Sequence, residues 1–151
     1  MLIAYCDALD TMKLDALAAL FTTDCRVSYG PDEKLASHGS AALRKSLERM
    51  WRWARTSHHL SNIRIDFDDA DSARATSYVM AWHERPDGTT ATVFGQYRDR
   101  LVRTPDGWKI GERIMLENGS DAGFTLALHR LDRAEPPPGW TAPDLGTAGG
   151  D

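Results

Sequence analysis

The chain has 151 residues, 42% of them hydrophobic and 26% charged, with a formal charge of −4. That length suits one domain around one core, and the composition is ordinary for a globular protein and argues against a disordered chain or a membrane span. No apolar run approaches the roughly 18 residues a membrane-spanning helix needs, and the basic residues form no single tract, which argues against nucleic acid as the main partner.

Residues 1–21 read as helix, because Leu2, Tyr5, Leu9, Leu14, Leu17, Leu20 and Phe21 recur at helical spacing. The stretch 11–14 is a candidate break into two helices. Residues 25–29 form a short strand candidate, closed by Gly30-Pro31. A second helical stripe over 40–53 is carried by Ala42, Leu43, Leu47, Met50 and Trp51, with Ser40 as N-cap.

From Thr56 the pattern changes to strands, predicted over 58–67, 73–84, 89–103 and 108–117. Turns fall at Asp68-Asp69-Ala70-Asp71, Pro86-Asp87-Gly88 and Pro105-Asp106-Gly107. Helices first and an antiparallel meander after them predict an α+β fold with a curved sheet packed on helices. Residues 124–131 read as a last strand or a covering arm. The Pro/Gly-rich stretch from Glu135 reads as a loose tail, giving a domain over 1–134 and a tail over 135–151.

Cys6 and Cys25 have no metal spacing, and the opening MLIAYCDALD lacks a basic region before its apolar residues. A reducing, cytoplasmic setting is therefore the expectation. Nor do the histidines form a cluster with carboxylates at metal-ligand spacing, so no metal and no other cofactor is expected.

Alternation along the strands sorts residues by face. Tyr78, Met80 and Trp82 share one face of their strand, while Ala75, Ser77, Val79 and Ala81 share the other. Asp99 and Gly95 fall on a largely apolar face, which fits a hollow with polar groups, a bulge, or a cross-strand salt bridge. Arg113, between Gly111 and Met115, fits either a solvated position or a site.

Among the histidines, His58 draws interest because Asp10 stands in the apolar first helix, where a carboxylate needs a partner. A carboxylate beside an imidazole fixes its tautomer and makes it a general base, and a nearby Tyr or Arg can hold a developing oxyanion. His58 and His59 point to opposite faces of a regular strand. Strict alternation sets His58 apart from Ile63, Ile65 and Phe67, so either a bulge changes the phase or His59 is the inward residue.

The segment YCDALDTMKLDALAALF resembles the opening helices of the SnoaL-like, nuclear-transport-factor-2-like group. TSHHLSNIRIDF resembles its first long strand, and GQYRDRLVRTPDGWKIGER its closing hairpin. The resemblance implies a cone-shaped fold with an internal pocket. It also implies enzymes such as scytalone dehydratase, bile-acid 7α-dehydratase, hexachlorocyclohexane dehydrochlorinase and polyketide cyclases, or non-catalytic relatives that include dioxygenase small subunits. In that group an Asp of the first helix pairs with a His opening the first long strand, and Asp10 and His58 fall there. Tyr5 and Arg113 match a Tyr and an Arg of the same sites. The expectation is a cofactor-independent lyase or isomerase acting on a hydrophobic ring compound. Its pocket is expected to be lined by Trp51, Trp53, Tyr78, Met80, Trp82 and Phe94. By the same resemblance the chain pairs through the convex sheet face as a homodimer or homotrimer.

Overall fold

A computed structural model describes residues 1–123 and 127–142. The N-terminal helical stretch is split: α1 spans Leu2–Asp10 and α2 Leu14–Ala18. Met12 turns between them in the left-handed region, φ 52°. The chain is extended sooner than the sequence suggests, since β1 runs Phe21–Ser28. A short β2, Ala36–His38, was not foreseen and pairs antiparallel with β1. The next helix, α3, spans Ser40–Leu47 and tightens into a 3-10 turn over Glu48–Arg52. Its N-cap is Gly39, φ 88°, not Ser40, and a glycine adopts that backbone without a Cβ clash.

Four long strands follow as antiparallel neighbours: β3 (Arg55–Phe67), β4 (Ser72–Glu84), β5 (Thr90–Thr104) and β6 (Gly107–Ser120). All three turns fall where the sequence placed them. The Asp69 carboxylate accepts from the Asp71 and Ser72 amides, while Gly88 and Gly107 take positive φ in the other two. The sheet order is β2-β1-β6-β5-β4-β3, with β1 parallel to β6. A short β7 (His129–Arg130) pairs with β6. Of the predicted arm, residues 124–126 lie outside the described residues, as do residues 143–151 of the predicted tail. No helix among the described residues is long and apolar enough to cross a membrane.

The core lies between the helices and one face of the sheet. Leu2, Tyr5, Leu9, Leu17, Leu43 and Leu47 come from the helical side. Ala73, Ala75, Val79 and Ala81 of β4 meet them, with Val93, Tyr97 and Leu101 of β5. The small residues of β4 are thus the inner ones. Side chains the size of tryptophan there would hold the helices off the sheet, whereas alanines let them approach and leave space at one end.

The phase of β3 is settled by a bulge. Pairing runs His58↔Ala81 to Ser61↔Tyr78, then resumes at Arg64↔Thr76, so β3 carries one extra residue. Asn62 occupies it with φ 48°, a backbone region asparagine tolerates better than most residues. The bulge restores His58 to the same face as Ile65 and Phe67, which pair with Ala75 and Ala73. His59 pairs with Met80 and faces the other way.

Candidate active site

Asp10 ends α1 as it crosses the start of β3, and three hydrogen bonds join it to that strand. The His58 Nδ1–H donates to Oδ1 at 2.5 Å. The His58 amide donates to Oδ2 at 2.8 Å, and the Thr56 hydroxyl donates to Oδ1 at 2.7 Å. Burial alone would raise this carboxyl, but these bonds outweigh it and hold Asp10 below its ordinary value. With Nδ1 committed as donor, Nε2 is the acceptor of the neutral ring.

His58 lines a hollow of about 140 Å³ between the sheet and the helical side, and its side chain is only 4% exposed. The apolar walls include Leu9, Met50, Ala81, Val93, Met115 and Leu128. Tyr29 and Tyr97 add phenols, and His83, Trp53, Arg49 and Arg52 complete one side. The His83 ring stands edge-on to His58, centroids 5.4 Å apart, and Trp53 lies 4.8 Å beyond it. Burial, reinforced by the neighbouring His58, pushes His83 down to about 4, so it is a neutral polar group at physiological pH.

Arg113 and Tyr5 sit beneath this hollow and are absent from its lining. Arg113 is fully buried and grips Asp99 bidentately, Nε to Oδ1 at 2.7 Å and Nη2 to Oδ2 at 2.8 Å. Its guanidinium lies against both the Tyr5 and Tyr97 rings, 4.2 Å from each centroid, where the two rings meet edge to face. Burial would lower its pKa, but Asp99 more than offsets that and keeps it charged. Of the readings open for Asp99, the cross-strand ion pair is the one found, and Arg113, its partner, is neither solvated nor part of the lining. The Tyr5 hydroxyl meets the Tyr29 hydroxyl at 2.6 Å. Burial raises both phenols above their ordinary values, so both stay protonated.

The expected aromatic lining is largely elsewhere. Tyr78, Met80 and Phe94 are exposed on the opposite sheet face, and Trp82 shares their side of β4 beneath the Arg55 guanidinium. Trp51 is 66% exposed on the outer side of the 3-10 turn. Bulk was taken as the mark of a ligand wall, but inner positions must be small for a void to exist. Of that set only Trp53 lines the hollow. Tyr29, Tyr97, Arg49 and Arg52 were missed. The pairing of His58 with Ala81 puts the odd-numbered residues of β4, His83 among them, on the inner face, a signal that sequence alternation carries once His58 is taken as inward.

Comparison with known proteins gives this geometry a family. A model of the SnoaL-like domain matches residues 1–114. Among solved structures, a scytalone dehydratase candidate from Novosphingobium aromaticivorans superposes with a TM-score of 0.82 at 34% identity, over 89% of this chain and 90% of that one. An aromatic ring hydroxylase candidate from the same organism gives 0.70 at 29% identity, over 76% and 81%. Hexachlorocyclohexane dehydrochlorinase (LinA) type 2 gives 0.70 at 18% identity, over 91% and 88%, a likeness of fold alone. A search of curated proteins found no match. On the family match over most of its length, the chain belongs to the SnoaL-like domain family, and its fold is the α+β cone of that family.

Proposed function

We propose that the chain is a cofactor-independent lyase or isomerase that acts on a small, mostly apolar ring compound by His58–Asp10 acid/base chemistry. The observation that carries this reading is the imidazole at the wall of an apolar hollow, its Nδ1–H engaged by a carboxylate. In an elimination, Nε2 takes a proton from the carbon next to a carbonyl. The C–H electrons form the new double bond as the C–O bond to the leaving hydroxyl breaks, and the imidazolium returns the proton to that oxygen, so water departs. Asp10 stabilises the imidazolium while it exists. In an isomerisation the proton returns to a different carbon instead.

Tyr29 takes the part first expected of Tyr5 and Arg113. Its phenol lines the hollow, and Tyr5 and Arg113 support it from beneath. A hydroxyl there can donate to the substrate oxygen as charge develops.

The test is an assay of ring ketones and alcohols with wild type, His58→Ala and Asp10→Asn. Losses of roughly 10²–10⁴-fold in turnover are expected for the base variant. Full activity in both variants overturns the reading. The second reading is a non-catalytic ligand-binding or assembly module, favoured by the withdrawal of Arg113 into a closed ion pair. In it, ring compounds bind and none is turned over.

A homodimer or homotrimer through the outer sheet face belongs to the same proposal. Tyr78, Met80, Phe94 and Ile114 are each at least 40% exposed there, an apolar patch of the kind that marks an interface.

A further inference from the structure

The hollow has a charged side that a plain hydrocarbon ring does not use. The hollow as a whole, about 140 Å³, is close to the volume that accepts a single benzene ring. On the solvent side of the deeply buried His58 imidazole stand half-buried Arg49 and exposed Arg52, both lining the same space. The Arg49 guanidinium lies 5.2 Å from the Tyr29 ring centroid and that of Arg52 5.2 Å from Trp53. Arg49 is fixed from behind, donating to the Ser46 carbonyl at 2.8 Å and to the Ser46 hydroxyl. The Trp53 indole N–H, a donor only, is buried without a hydrogen-bond partner.

Among the described residues, no carboxylate answers these donors. The described lining contains none, and the acids on the same elements are taken: Glu48 by Arg44 and Lys45, Glu84 by Arg55. Asp10 is committed to His58 and Thr56. Like charges crowd instead. Although Arg52 is exposed along most of its length, partial desolvation of its guanidinium, then the nearby Arg49 and Arg85 cations, make its charged form less favourable than usual. A bound anion relieves that repulsion and accepts from both guanidinium groups.

We propose that the hollow takes a ring compound bearing an oxyanion substituent, a carboxylate or a phosphate. The ring packs against the apolar wall beside His58, and the anionic group is held by Arg49 and Arg52. The proposal deepens the reading of this hollow as the ligand site, and rests on it, by naming the substrate class.

The full chain is titrated with benzoate, phenyl phosphate and the neutral benzyl alcohol, following the Trp53 indole resonance by NMR. At least one anion is expected to bind about tenfold or more tightly than the alcohol, the worth of a charged hydrogen bond. Added salt should shrink that advantage. Arg52→Gln should reduce the ratio of anion to alcohol affinity, and Arg49→Gln with Arg52→Gln should bring that ratio to about one; the Tm of each variant verifies folding. The tighter of the two anions identifies the substituent. Equal binding of alcohol and anions, an anion affinity untouched by the arginine changes, or no binding of any of the three overturns the proposal. His58→Gln separates it from catalysis. If the anion preference persists in that variant and no turnover is found in wild type, the substrate class stands and the lyase reading falls.

Discussion

Asp99 and Arg113 are direct register partners across β5 and β6, and neither side chain has any solvent exposure. Two opposite charges are thus sealed together at the base of the hollow, with two of the guanidinium's nitrogens on the carboxylate and the Tyr5 and Tyr97 rings packed against it. Removing one partner strands the other charge in a medium that cannot solvate it. Asp99→Asn is expected to lose about 3–5 kcal/mol in urea unfolding. The paired change Asp99→Leu with Arg113→Met should recover part of that loss. A double variant no better than the single one argues that packing volume, not charge pairing, is at stake.

The Asp10 carboxylate accepts from His58 Nδ1–H, which leaves the proton off Nε2. Histidine ¹⁵N shifts are expected to show one tautomer in wild type at pH 8. Asp10→Asn can present its amide N–H₂ to the ring and should shift His58 toward the other tautomer. An unchanged tautomer would show that something other than Asp10 orients the ring.

His83 ties stability to pH. Its folded pKa, about 4, lies below the ordinary value near 6.5, so between those values the unfolded chain binds more protons. Stability therefore rises with pH across this window and falls on acidification. Allowing for partial exposure, the loss from pH 7 to pH 4 amounts to roughly 2 kcal/mol. His83→Gln should flatten the dependence, measured as the urea midpoint against pH. An equally steep dependence in the variant assigns the effect to other groups.

Burial raises the Cys6 thiol to about 12 and that of Cys25 to about 11. Neither supplies thiolate at neutral pH. A thiol reagent should label both slowly in the native protein and promptly in denaturant. Fast labelling of either one in native buffer contradicts their burial in the core.

Much of the sheet was legible because its turns are written locally: the paired Gly positions and the Asp69 cap lie within a few residues of what they shape. The Asp10–His58 contact became legible only through resemblance, since nothing in the spacing of residues 48 apart brings them together. β2 and the parallel β1–β6 pairing were missed, because three residues such as Ala36–His38 have no periodicity to read. The pocket wall was assigned to the wrong face of β4 because size was read as a ligand signal. Burial decides the matter the other way, with Tyr78 and Met80 exposed and Val79 and Ala81 covered.

The alanines of β4 and β5 carry a last consequence. Ala81 and Ala91 both border the hollow, and its room is the volume their side chains do not occupy. The size of the hollow is thus adjustable in steps of two methyls or one isopropyl group, from strands whose backbones need not move. A valine or leucine at these places would leave a slimmer space, with the hydrogen bonds between Asp10 and His58 untouched.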